Sequence, residues 1–186
     1  MENSFYNEKE LKELGFKSFG KNVLLSKKAS FYGESEISFG NNIRVDDFCI
    51  LSGKIAIGNH VHIGAGSYLF GGGKGITIGD YSGCSQHVCI YATSDDYSGR
   101  SLTNPTLPDK FKNLNVGPVI IEKYVIIGAG SVLLPSIVVG EGCAIGALSL
   151  VNKSTGPWKI YSGNPAVPIN NRNKKILELE KEFLSE

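Results

Sequence analysis

Residues 121–151 read IEKYVIIGAGSVLLPSIVVGEGCAIGALSLV, and every sixth residue from the first is aliphatic: Ile121, Ile127, Leu133, Val139, Ile145 and Val151. A helix returns to one face every 3.6 residues and a strand every two. Six is a multiple of two, so strand alternation survives if a corner follows each short strand. One aliphatic residue per hexad then points inward. The next position, at the corner, favours Gly, Asp or Asn for its unusual dihedrals. Gly128, Gly140 and Gly146 stand there. The fifth position also turns inward and is small or β-branched, as in Val125, Ser131, Ile137, Cys143 and Ser149.

The register continues upstream. Phe39, Val45, Leu51, Ile57, Ile63 and Leu69 step by six, with Gly40, Asp46, Gly58 and Gly64 in second position, and a third block runs Ile78, Cys84, Ile90. Such a repeat predicts an all-β solenoid, a parallel β-helix whose repeats bury their inner face only by stacking. Three hexads close one triangular coil, so the three blocks predict about five coils, roughly 24 Å of prism at ~4.8 Å per layer.

Two breaks interrupt the register. FGGGKG adds a small excursion between Leu69 and Ile78. A long polar loop with three prolines, residues 91–118, separates Ile90 from Ile121. Long insertions in compact domains usually carry function, and a solenoid gathers them on its binding face. Residues 1–20 read as a helical cap, with Asn7 as N-cap and Gly15 just past the end. The β-helix domain is expected over 21–156. Residues 157–186 read as a C-terminal turn and a helix with Ile176, Leu179 and Phe183 on one stripe.

Composition bounds the function. The 186 residues suit one domain with a substantial core, and the net charge of +1 leaves no basic footprint for nucleic acid. The start, MENSFYNEKELKEL, has no apolar core of a secretory signal, and no apolar run reaches membrane-spanning length. A cytoplasmic protein without membrane insertion is expected. Cys49, Cys84, Cys89 and Cys143 form no CxxC pair and read as small hydrophobes in a reducing compartment.

Hexads such as IGAGSV and IGNHVH, the loop after the middle coils and the terminal SGNPAV resemble the hexapeptide-repeat acyltransferases, over about residues 20–170. Within that superfamily the chain looks like the sugar acetyltransferases, including those serving bacterial surface polysaccharides. The resemblance implies a left-handed β-helix and a homotrimer with active sites between subunits. It also implies acetyl-CoA as co-substrate, no metal, and a sugar or nucleotide-sugar acceptor. The family reaction is direct acetyl transfer, with a histidine as general base and backbone amides holding the thioester oxyanion. A sugar hydroxyl is a poor nucleophile until a base near pKa 7 takes its proton.

In many relatives that histidine stands in the loop, where this chain reads YATSDDYSG. The candidates for base are therefore His62, on the strand before the corner GAG, and His87, in the corner SQH one coil above; His60 is less well placed. Asp95 and Asp96 occupy the family's base position, where one could orient a histidine from a neighbouring subunit or bind sugar hydroxyls. Tyr97, Arg100 and Asn104 join them as candidate acceptor contacts, and Arg100, Lys110 and Lys112 could meet phosphates. For the donor, the resemblance implicates the small corners Gly128–Ala129 and Gly146–Ala147, Lys153, and the turn residues Gly163, Asn164 and Pro165.

Among rival readings, a zinc-dependent carbonic anhydrase needs three converging histidines, and His60 and His62 alternate in direction. A nucleotidyltransferase lacks room for its nucleotide domain. A non-catalytic trimeric scaffold has little use for both loop and terminal turn. O-acetylation of a sugar is the reading preferred on the two histidines; N-acetylation of a nucleotide-linked amino sugar is the alternative, since a neutral amine needs less help from a base.

Overall fold

The computed structural model describes residues 4–186, and its parallel coils carry the period of six. Each coil lays one short strand on each face of a triangular prism. On the first face, Ser18–Phe19, Ile37–Phe39, the ends of Ile50–Ile57 and Tyr68–Ile78, Val119–Ile121 and Ile137–Val139 pair in parallel. The second face stacks Val23–Leu25, Ile43–Val45, His62–Ile63, Gly83–Cys84, Ile126–Ile127, Ala144–Ile145 and Lys159–Ser162. The third stacks Ser30–Tyr32, the starts of the two long strands, Cys89–Tyr91, Val132–Leu133 and Leu150–Val151.

The expected register residues stack one coil apart, as in Leu51, Leu69, Ile90, Leu133 and Val151, and all of them are buried. The small fifth positions are buried too, and their serines join coils. Ser67 Oγ donates to the Ser85 carbonyl at 3.0 Å and accepts from the Val88 amide at 3.2 Å. Ser131 Oγ does the same with the Gly146 carbonyl and the Ser149 amide. Buried hydroxyls so paired carry no desolvation penalty.

The stack is taller than five coils. Phe19, Leu25 and Phe31 form a coil below the first expected one, and Thr155 and Tyr161 begin another above the last. Their spacing hid them: eight residues separate Phe31 from Phe39, the surplus taken up by the 3-10 turn Glu34–Glu36, and only four separate Val151 from Thr155. Parallel pairing thus runs from Ser18 to Tyr161, outside 21–156 on both sides, for about seven layers and roughly 34 Å. The excursion FGGGKG widens one corner inside the single strand Tyr68–Ile78.

The bottom of the prism is closed by α1 (Glu8–Glu13). Asn7 caps it reciprocally with Glu10, and Gly15 follows with φ 75°. Leu11 is buried, and Phe16, Phe31 and Phe39 meet edge to face at 5.1–6.4 Å. Residues 1–3 of the expected cap lie outside the described residues. At the other end Lys159–Ser162 turns back into the antiparallel strand Val167–Asn171, which leads to α2 (Ile176–Phe183). No helix among the described residues is long and apolar enough to cross a membrane.

Most corners turn through a left-handed residue. Between the first and second faces these are Asn22, Asn42, His60, Tyr81, Tyr124, Gly142 and Trp158, with φ between 55° and 66°. Between the second and third faces they are Phe48, Gly66, His87, Gly130 and Leu148, with φ between 58° and 69°.

Candidate active site

The second corner is built from Gly64-Ala65-Gly66, Ser85-Gln86-His87, Gly128-Ala129-Gly130 and Gly146-Ala147-Leu148 in successive coils. Its first position is small because coils touch there: a Cβ on Gly128 would run into the Ala147 backbone, and one on Gly64 would lie 2.8 Å from the Ser85 carbonyl carbon. The flanking amides join coils. Gly128 N–H donates to the Ile145 carbonyl at 2.8 Å and Gly130 N–H to the Gln86 carbonyl at 3.0 Å. The middle amides do not: among the described residues, those of Ala65, Gln86, Ala129 and Ala147 donate to no acceptor. Gly128, Ala129, Gly146 and Ala147 therefore belong to one column edged with open N–H groups.

Gly163 continues that column. Its N–H donates to Ser149 Oγ at 3.2 Å, and its carbonyl accepts from Leu150 at 3.0 Å. Asn164 and Pro165 follow, exposed and joined by a cis peptide bond. Lys153 is elsewhere, exposed on the turn between the third and first faces.

Beside this corner, the inserted loop folds over the third face. Its neck is a small antiparallel ribbon of Thr93–Ser94 with Asn115–Val116. Under it lies a cleft of about 460 Å³. It is lined by polar Thr93, Ser94, Asp95, Asn104 and Lys112, by apolar Pro105, Leu114, Val132 and Leu134, and by Tyr91 and Tyr97. Val132 is three residues beyond Ala129, so at most about 11 Å of chain separates cleft wall from open amide.

The structure brings Asp95, Tyr97 and Asn104 together here. Asp95 Oδ1 accepts from the Asn104 amide at 3.3 Å, and its Oδ2 accepts from no group among the described residues. Asp96 differs. Its Oδ1 takes the Ser98 amide at 2.8 Å, and its Oδ2 takes the hydroxyls of Ser98 and Ser101 at 2.9 and 3.0 Å. Those bonds hold its carboxyl below the ordinary range and fold the loop on itself. Tyr97 is 93% exposed. Burial, with the nearby Cys89, Tyr97 and Tyr68, pushes the Tyr91 phenol up, so it enters the cleft as a donor. Arg100 lines a second cavity with Lys110 and Lys112. Lys112 edges both cavities while paired to Asp109 at 2.8 Å.

The histidines are spread apart. His62, on the second face, has Nε2 2.7 Å from Asp46 Oδ2, while Arg44 Nε donates to Asp46 Oδ1 at 2.7 Å. His87 sits in the second corner, its amide on the Ala65 carbonyl one coil below. Among the described residues no hydrogen bond joins either to Asp95. No three His, Cys, Asp or Glu side chains among the described residues gather to hold a metal ion.

His60 lies in the first corner, within a stack that hexad spacing does not reveal. Its ring is parallel to Tyr81 at 4.8 Å, Tyr81 stacks on Tyr124 at 5.8 Å, and Trp158 follows at 6.0 Å. The signal was present: the third residue of each turn leaving the first face is aromatic or His in four coils. α2 docks on this stack through Phe183. Glu180 accepts from Lys123 Nζ at 2.7 Å and from the Tyr124 hydroxyl. Arg172 donates to the carbonyls of Tyr124, Gly142 and Cys143.

Comparison with known proteins places these features. The model of the bacterial transferase hexapeptide (six repeats) matches residues 118–153, and that of the hexapeptide repeat of succinyl-transferase matches residues 54–82. A dTDP-4-amino-4,6-dideoxy-D-glucose acyltransferase of Escherichia coli is 48% identical over 97% of this chain and 95% of its own. AntD, an N-acyltransferase from Bacillus cereus, has been solved as a serine-to-cysteine variant with dTDP-4-amino-4,6-dideoxyglucose and coenzyme A. That structure superposes with a TM-score of 0.98 at 51% identity, covering 100% of this chain and 99% of that one. AntD with dTDP and 3-hydroxybutyryl-CoA gives 0.97 at 52% identity, covering 98% and 97%.

Proposed function

The chain belongs to the hexapeptide-repeat acyltransferases, and from that membership we propose that it moves an acyl group from acyl-CoA to the amine of a nucleotide-linked amino sugar. It shares with them the left-handed parallel β-helix. The likeness supports the alternative, an amine acceptor, better than the expected preference for a sugar hydroxyl. The observation that carries the reading is likeness along the whole chain to enzymes named for, or solved with, a dTDP-linked amino sugar.

The chemistry fits the geometry. The thioester carbonyl docks on the second corner, where the open amides of Ala129 and Ala147 can receive the negative charge of the tetrahedral intermediate. The acceptor enters the loop cleft, and the free Oδ2 of Asp95 takes a hydrogen bond from its amine and aims the lone pair. AntD has also been solved with aspartate-to-asparagine and serine-to-cysteine substitutions. Here Asp95 and Ser85 are assigned as the matching pair, Ser85 being the hydroxyl in a corner position that is glycine in the coils above and below. The C–N bond forms, the C–S bond breaks, and the departing thiolate, a stronger base than a carboxylate, leaves as the thiol with the amine's proton. Neither His62 nor His87 is needed as base, and His62 serves to hold Asp46.

Lys112, Arg100 and Lys110 are assigned to the acceptor's phosphates. The active form is a homotrimer whose neighbouring prism completes the cleft. A CoA donor and a nucleotide-linked acceptor place the reaction in the cytoplasm, before glycosyl transfer in polysaccharide assembly.

The test is CoA release with two acceptors, dTDP-4-amino-4,6-dideoxyglucose and the same nucleotide sugar bearing a 4-hydroxyl. Turnover is expected with the amine alone, and Asp95→Asn should lower kcat/KM by about 100-fold through poorer alignment. Turnover with the hydroxyl alone would refute the reading.

A further inference from the structure

A cavity of about 380 Å³ lies at the first corner, under α2. Its lining includes Tyr81, Tyr124 and Arg172 and, from α2, Ile176, Leu179 and Phe183. The apolar stripe of a surface helix ordinarily closes onto the core. Here no residue of α2 is buried, and Leu179 and Phe183 stay 47% and 50% exposed. The helix is held off the prism instead. Glu180 accepts from Lys123 Nζ at 2.7 Å and from the Tyr124 hydroxyl. His60 and Tyr124 take the two faces of the Tyr81 ring, and Phe183 stands perpendicular to it at 6.3 Å, so Phe183 meets its edge. The space left between is aromatic and aliphatic, within the roughly 300–1,000 Å³ of small-molecule sites.

One charge in this lining has no counterpart. Arg172 Nη1 donates to the carbonyls of Tyr124, Gly142 and Cys143 at 2.6–3.1 Å. Its Nε and Nη2 donate to no acceptor among the described residues. No carboxylate among the described residues pairs with it either: Glu180, in the same lining, is taken up by Lys123 and Tyr124. Burial presses the guanidinium below its ordinary value. A half-buried cation without a counter-ion is unfavourable, and a guanidinium edge with free N–H groups matches the two oxygens of a carboxylate.

We propose that this cavity binds a small aromatic carboxylate, its oxygens on Arg172 and its ring between Leu179 and Phe183 of α2 and the ring edges of the first corner. Aromatic rings favour such edge-to-face contacts. A bound ring fills the space under α2 and fixes the helix on the prism. The cavity is at the first corner, so its occupancy does not depend on the acyl transfer assigned to the second.

The test titrates 3-phenylpropionate, the uncharged 3-phenylpropanamide and ring-free propionate into the full chain by calorimetry. The aromatic acid is expected to bind about 10-fold more tightly than the amide, which lacks the charge, and than propionate, which lacks the ring. Arg172→Gln should bind acid and amide alike. Leu179→Trp, which places an indole in the space from a half-exposed helix position, should weaken the acid by about 10-fold and keep the wild-type thermal midpoint. Saturating CoA and dTDP-4-amino-4,6-dideoxyglucose should leave the affinity unchanged. Wild type binding the acid no better than the amide, or binding none of the three at millimolar concentration, would overturn the proposal. So would undiminished binding to Leu179→Trp, or competition by CoA or the nucleotide sugar, which would put the acid in the transfer site. If Arg172→Gln does not fold, the wild-type preference for acid over amide and the Leu179→Trp result decide between these outcomes.

Discussion

Two corners of one prism turn through the same backbone conformation and do opposite work. In the first, four middle amides are taken up by side chains: Asn41 Oδ1 accepts from Lys21, Asn59 Oδ1 from Asn41, Asp80 Oδ1 from Asn59 and Glu122 Oε2 from Glu141, at 2.6–2.9 Å, while among the described residues those of Asp80 and Lys123 donate to no acceptor. The left-handed residues stack ring on ring, and α2 covers them. In the second corner the equivalent residues are Ala65, Gln86, Ala129 and Ala147, and their amides stay open. A fold made of repeats separates stability from function by what it places at equivalent positions: acceptors and rings at one edge, small residues at the other.

The sharpest way to break this contrast is to enlarge the second corner where its coils touch. Gly128→Val would force a side chain into the Ala147 backbone. It is expected to destabilise the fold by about 3 kcal/mol, read by urea unfolding. Next in size is the first corner. Tyr81→Ala removes two stacked partners and the edge of Phe183 and should lower stability by about 2 kcal/mol, with CoA affinity retained. A loss of CoA binding there would blur the division between the corners. Asp80→Ala leaves the Asn59 amide without its acceptor and should lower stability by about 1 kcal/mol, again sparing CoA binding.

The smallest effect concerns Asp46, at the foot of the second corner. Burial alone would raise its carboxyl, but hydrogen bonds from Arg44 and His62 outweigh it and hold the group below the usual range. A lowered folded value means that the contribution is complete above the unfolded aspartate value of about 3.9 and is lost as pH falls through the folded one. Asp46→Asn should therefore lower the thermal midpoint slightly at neutral pH and flatten the acid side of the profile, so that its difference from wild type shrinks below about pH 4. An acid limb as steep as that of wild type would exclude Asp46 as its source.

How far the chain could be read in advance follows the repeat. Ile57, Ile63 and Leu69 announced their coil because each step is six; Phe31 and Thr155 did not, because a 3-10 turn and a shortened corner shift them off register. The aromatic stack also keeps a fixed place, at the third residue of the first corner in four coils, but hexad reading attends to inward positions and passes over corner side chains. The loop has no period, so Asp95 and Asp96 looked alike in sequence. Only the fold separates them, by committing Asp96 to Ser98 and Ser101 and leaving Asp95 Oδ2 open. The choice between amine and hydroxyl was not legible at all, since the repeat encodes the scaffold and the loop proposed to hold the acceptor has no period.

The central division can be observed residue by residue through amide chemical shifts as CoA is added to the uniformly labelled protein. The Ala129 and Ala147 resonances are expected to move the most, while those of Lys21, Asn41 and Asn59 stay in place. Shifts centred on the first corner, or no shift at Ala129 and Ala147 at saturating CoA, would contradict the assignment of the second corner as the donor's track.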